Sequence, residues 1–202
     1  MTNATHAIST PLEKSSNATT RPKFTLQEFV GCSLVVLGAI LINYNYPNRL
    51  DIISDDDDLY FSFGMMLLKG KYRGADDGPL YYVFQLLLQL ATNDAIRTFY
   101  VNYIVTTTVP MLLFYSLLRA RQIALWPAVW ITLMFMFSNL NYPLTPKLTH
   151  YAVIFLMLGL LAFTYAEGMV RKLFFASLFT LLASYVRPEL YIAFFLLALG
   201  TS

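Results

Sequence analysis

Apolar runs of bilayer length recur along this chain and constrain its fold more than any other feature. The first covers about Leu26–Tyr46, and others cover about Thr98–Leu118, Ile123–Leu140, Leu148–Ala166 and Leu173–Val186. A sixth starts at Pro188 and is still apolar at Leu199. About 20 apolar residues in a helix cross a hydrocarbon core ~30 Å thick. Inside hydrocarbon the backbone must satisfy its own hydrogen bonds, so runs of this length dictate helices. The chain is 57% hydrophobic and only 13% charged, a composition that fits a polytopic membrane protein and not a soluble domain. The expected fold is all-α: a polytopic transmembrane helical protein of five or six spans. The apolar segments Leu59–Leu68 and Pro79–Ala91 are too short to span. They are expected as interfacial helices in a first outer loop covering residues 47–97.

Residues 1–23 are rich in Ser, Thr and Asn and read as a disordered cytoplasmic tail before a membrane domain at 24–202. The first apolar run begins late for a secretory signal and leads into Asn43-Tyr44-Asn45-Tyr46, not a small-residue cleavage site, so it reads as a retained anchor. The chain stops inside or just after its last apolar stretch and is expected to be part of something larger. With the N-terminus inside, Lys14, Arg21, Lys23, Arg119, Arg121, Arg171 and Lys172 all fall on the cytoplasmic side, as short basic loops require. Lys69, Lys71, Arg73, Arg97 and Lys147 then lie outside. The formal charge of +2, with no basic patch, argues against nucleic-acid binding. One cysteine (Cys32) and two distant histidines (His6, His150) exclude an intrachain disulfide and a Cys/His zinc cluster.

Against this apolar background, Ser54-Asp55-Asp56-Asp57-Asp58-Leu59-Tyr60 stands out. Ser54 suits a helix cap, and acids in a first turn are favoured by the helix dipole. That account uses one or two acids, whereas adjacent like charges repel. If a helix starts near Asp55, residues three or four apart share a face, which aligns Asp56 with Tyr60 and Asp55 with Asp58. A carboxylate facing a cavity at the membrane surface suits a general base acting on a hydroxyl or amine. Clustered carboxylate oxygens equally suit a divalent cation.

The order of short elements here resembles the first extracytoplasmic loop of GT-C fold glycosyltransferases. The elements are Asp56-Asp57-Asp58-Leu59-Tyr60, then Leu67-Leu68-Lys69-Gly70, then Gly78-Pro79-Leu80-Tyr81-Tyr82. The nearest groups are the bacterial families related to protein O-mannosyltransferases, the aminoarabinose transferases and the RgtA/B/C/D-like group. The resemblance covers the N-terminal third to half of such an enzyme. It implies a polyprenyl-phosphate sugar donor, a lipid, glycan or protein acceptor, and a loop carboxylate that activates the acceptor. Aligned on Tyr60, that carboxylate is Asp56, with Asp57 the acid after it, and Tyr60 joins the substrate-binding residues. Where many relatives carry Lys or His before the proline, this chain has Asp76-Asp77-Gly78. Those acids repel phosphate unless a metal lies between, so Asp56, Asp57 and Asp77 are the candidate ligands of a divalent cation.

Arg187-Pro188-Glu189 stands between two apolar runs on the outer side. Pro at a helix start with Glu in its first turn is ordinary structure, and Arg can snorkel to headgroups. An outer-surface Arg also makes a bidentate clamp for a lipid-linked phosphate. Arg187 is therefore a candidate donor-binding residue, with Lys71 and Arg73 behind it. The expected function is sugar transfer from the lipid donor at the extracytoplasmic surface of a bacterial plasma membrane. The alternatives are a non-enzymatic polytopic protein (a transporter or assembly subunit) or an inactive fragment of a transferase.

Overall fold

The computed structural model describes residues 25–44, 64–71, 78–138 and 148–192. Every regular element among them is helical. The longer helices are α1 (Leu26–Tyr44), α2 (Pro79–Thr92), α3 (Ala95–Ala120), α4 (Leu125–Met136), α5 (Leu148–Tyr165) and α6 (Met169–Val186). A helical segment at 64–68 precedes α2, and a 3-10 turn, Pro188–Leu190, follows α6. Three helices are long and apolar enough to cross a membrane: α1, α3 and α6. At 1.5 Å per residue, the 14-residue α2 extends only about 21 Å, short of a hydrocarbon core.

The face that α1 turns outward has the composition of a lipid contact. Ile40 and Leu41 are 56% and 59% exposed, beside exposed Phe29, Val36 and Leu37. A helix facing water carries polar residues on that side. The opposite face of α1 is Gly31, Val35, Gly38, Ala39 and Ile42, all buried, at the spacing of one helical stripe. The two glycines let α4 approach: a Cβ on Gly38 would lie 2.6 Å from Leu133 Cδ2, and one on Gly31 2.7 Å from Leu125 Cδ1. Small residues at such contacts are how helices pack closely where no water drives them together. The resulting core joins α1, α3 and α4 through Val35, Ala39, Met111, Tyr115, Val129 and Met136.

A second core joins α2, α5 and α6 through Tyr81, Tyr82, Tyr151, Ala152, Ala183 and Val186. Helix α3 is the shared wall and packs on α1, α2, α4 and α5. Its start follows local chemistry. The Asp94 side chain accepts from the Arg97 amide at 3.0 Å, an N-cap that begins the helix three residues before the apolar run at Thr98. Helix α6 likewise begins at Met169, ahead of the apolar run at Leu173, so Arg171 and Lys172 lie in its first turn. Their charged ends need not leave the helix to reach polar surroundings. For the third apolar run the helix described is Leu125–Met136, while 139–147 lie outside the described residues.

Candidate functional site

The site begins at a joint between two chain segments. Gly78 donates its amide to the Val186 carbonyl at 3.0 Å, which docks the entry to α2 on the last turn of α6. The approach requires glycine, because a Cβ here would lie 1.8 Å from the Tyr185 carbonyl oxygen. Pro79 then takes the first helical position, where a missing amide costs nothing. The positive end of α2 thus meets the negative end of α6. Partial charges of roughly +0.5 and −0.5 offset one another there. That leaves Arg187, the next residue along, as the formal cation of this corner.

Arg187 is partly free to act. Its Nε lies 3.7 Å from Glu189 Oε2, with the two side chains 36% and 66% exposed. An ion pair that long and that wet contributes little. A phosphate offering two oxygens to the guanidinium fork competes well against it.

Behind the joint, α2 presents a buried polar face. Gln85 donates from Nε2 to the Tyr81 hydroxyl at 3.0 Å, one helical turn apart. The Tyr81 ring meets Tyr151 edge-on at 5.7 Å, and Phe84 stacks on Tyr151 at 5.0 Å. Tyr151 in turn donates to Asn102 Oδ1 on α3 at 2.6 Å. These contacts tie α2, α3 and α5 together directly behind the Gly78–Val186 joint. The tyrosines of Gly78-Pro79-Leu80-Tyr81-Tyr82 are therefore core residues that fix the helix.

The Leu67-Leu68-Lys69-Gly70 element has its own local reason. Gly70 adopts φ +66°, its amide donates to the Leu67 carbonyl, and the Lys71 amide donates to the Met66 carbonyl. This is the two-bond termination of a helix that favours glycine. It holds Lys71 just past a helix end, exposed. Gly64 seats the same segment on α2, since a Cβ there would lie 2.9 Å from the Leu86 backbone.

Of the residues singled out above, Arg187 is brought to the Gly78 joint and Lys71 stands on a capped loop beside α2. Asp56, Asp57, Tyr60, Arg73 and Asp77 lie outside the described residues. Among the described residues, no group of three or more His, Cys, Asp or Glu gathers to hold a metal.

Sequence reasoning missed one ionic contact. Arg119, at the last turn of α3, forks onto the Glu28 carboxylate of α1, with Nε–Oε2 at 3.2 Å and a second bond from Nη2 to Oε1. Its Nη1 also donates to the Ile123 carbonyl. The partners are 91 residues apart in sequence, so no local pattern signals the pair. Gln85, Asn102 and Tyr151 were missed too, although Tyr81 and Gln85 share the one-turn spacing of a helical face. Comparison with known protein families, with curated proteins and with solved structures finds no match.

Proposed function

We propose that this chain is a membrane glycosyltransferase of GT-C type, with five or six spans and a cytoplasmic N-terminus in a bacterial plasma membrane. It transfers a sugar from a polyprenyl-phosphate donor to a lipid, glycan or protein acceptor at the extracytoplasmic surface. The observation that carries this reading is the 3.0 Å bond from Gly78 to Val186. It sets the Gly78-Pro79-Leu80-Tyr81-Tyr82 element of the resemblance beside Val186, the residue before Arg187, where many GT-C-like sequences carry a basic residue at the end of the corresponding helix.

In this reading the acceptor hydroxyl or amine attacks the anomeric carbon, and the bond from that carbon to the donor phosphate oxygen breaks. The acceptor proton passes to the Asp56 carboxylate. Arg187, assisted by Lys71 and Arg73, neutralises the departing polyprenyl phosphate. Tyr60, four residues after Asp56 in the sequence, helps hold the substrate. A divalent cation on Asp56, Asp57 and Asp77 is the other role open to these acids.

The test is transfer by the purified full chain from labelled polyprenyl-phosphate hexoses and pentoses. Asp56→Asn should lower turnover by about 10²- to 10⁴-fold, the contribution of a positioned general base. Asp57→Asn should fall less, and Arg187→Ala should raise the KM for the donor. Unchanged turnover in both Asp56→Asn and Arg187→Ala removes the site. Chelation separates the two roles of the acids: activity that survives it assigns Asp56 as a base, and activity lost to it and restored by Mn²⁺ or Mg²⁺ assigns a cation.

A further inference from the structure

A cavity of about 470 Å³ lies between α5 and α6, against the middle turns of α6. Its walls are Leu156, Gly159, Leu160 and Phe163 of α5 with Ala176 and Thr180 of α6, and Arg121 of the α3–α4 connection lines it as well. Gly159 lets α5 approach α6 beside the cavity, where a Cβ would press on Phe179 Cβ at 3.0 Å. Ala176 is a small side chain on the α6 wall. From Leu156 to Phe163 the α5 wall rises about 10 Å, and from Ala176 to Thr180 the α6 wall about 6 Å. The cavity therefore runs about a third of a ~30 Å hydrocarbon core.

Its shallow end is cationic. Arg121 is exposed and has no carboxylate partner among the described residues. Lys172 places its Nζ 5.4 Å from the centroid of Phe163, a cavity wall. Arg171 is its neighbour on the first turn of α6. Glu167, in the turn between α5 and α6, is exposed and makes no ion pair among the described residues. Arg119 does not add to this charge because Glu28 neutralises it. An apolar slot about 10 Å long, with Arg121 in its wall and Lys172 over Phe163, fits part of an acyl chain beneath an anionic headgroup.

We propose that this cavity binds one acyl chain of an anionic glycerophospholipid, with its phosphate-bearing headgroup held by Arg121 and Lys172. Under the orientation proposed above, the headgroup belongs to the cytoplasmic leaflet, where anionic lipids attract basic residues near the surface. The site does not depend on the glycosyltransferase reading, since neither Arg187 nor the Gly78 joint lines it.

The experiment exchanges the purified full chain into detergent with palmitoyl-oleoyl phosphatidylglycerol or palmitoyl-oleoyl phosphatidylcholine and counts retained lipid by native mass spectrometry. The wild type should retain one phosphatidylglycerol in preference to phosphatidylcholine by about tenfold or more, the effect of two nearby cations. The Arg121→Gln/Lys172→Gln double variant, which leaves the apolar walls intact, should lose that preference. Ala176→Phe fills the slot and should lose retention while keeping its helical circular dichroism. Glycerol 1-phosphate alone, which lacks the chains, should not displace the lipid. Equal retention of both lipids by the wild type overturns the proposal. So does a preference that survives the double variant, displacement by glycerol phosphate, or a well-folded Ala176→Phe that binds as the wild type does.

Discussion

The core shared by α1, α3 and α4 is mostly aliphatic and tightly spaced, with Val35, Ala39, Ile42, Val129 and Met136 packed around glycine contacts and a single buried tyrosine, Tyr115, among them. The core shared by α2, α5 and α6 is aromatic, and its tyrosines carry hydroxyls that bond to Gln85 and Asn102. The first is locked at one end by an ion pair, Glu28–Arg119, and the second at the other end by a backbone bond, Gly78–Val186. The difference separates scaffold from positioning. Aliphatic side chains slide and repack, so that core tolerates small shifts. Rings with directed hydroxyls hold one arrangement, and that is the core standing behind Arg187.

The same substitution in each region should give unequal results. In Gly78→Ala the new methyl meets main-chain atoms, the Tyr185 oxygen at 1.8 Å and the Val186 carbonyl carbon at 2.8 Å, which cannot turn aside. The cost should be about 3 kcal/mol, at the upper end for overpacking, with the proposed transfer activity lost as the joint opens. In Gly38→Ala the methyl meets the tips of Leu133 at 2.6 Å and Met136 at 3.3 Å, which can rotate. About 1 kcal/mol is expected there, with activity retained. Thermal unfolding in mild detergent measures both, and equal losses would erase the contrast.

Arg119→Ala should come next. It removes a forked, charge-assisted contact and the bond to the Ile123 carbonyl, with the two side chains 26% and 21% exposed. A loss of about 2 kcal/mol is expected, and Glu28→Gln should cost less because shape and one bond survive. Because this lock belongs to the scaffold, donor KM should not move. A change in KM larger than the stability loss explains would join the two regions functionally.

Tyr151→Phe should be milder. The stacking on Phe84 stays, while the bond to Asn102 at 2.6 Å goes. Side-chain hydrogen bonds between membrane helices average about 0.6 kcal/mol, and a loss near that value is expected.

The helices were legible where the sequence carries local chemistry. The start of α1 at Leu26, of α2 at Pro79 and of α5 at Leu148 coincides with the onset of the apolar runs. Helices α3 and α6 begin earlier than their apolar runs, because a cap at Asp94 and the basic residues Arg171 and Lys172 are helical without being apolar. Hydropathy reports burial in lipid, and helix formation extends beyond it. Of the site, Arg187 could be chosen from its chemistry between two apolar runs together with the resemblance, and the glycine–proline element from the resemblance. That the element docks on Val186, next to Arg187, could not, since the bond from Gly78 to Val186 depends on how α2 packs on α6. The same holds for Glu28 and Arg119. Each is an ordinary interfacial charge until the fold brings α1 against α3.

The smallest effect sharpens the comparison most, because it tests function apart from stability. Glu189→Gln removes the carboxylate 3.7 Å from Arg187 Nε. With Glu189 66% exposed, the pair is screened by water, and its loss should change unfolding by no more than about 0.5 kcal/mol. Among the described residues, no other carboxylate then pairs with Arg187. If its fork holds the donor phosphate, the KM for the polyprenyl-phosphate sugar should fall by a few-fold, with turnover nearly constant, because charge is gained in the bound state and the transition state alike. Arg187→Lys in the same assay keeps the charge but loses the fork, and should raise KM. A Glu189→Gln enzyme whose donor KM is unchanged would mean that Arg187 spends its charge on headgroups at the surface, and the aromatic core would then be positioning something other than a phosphate clamp.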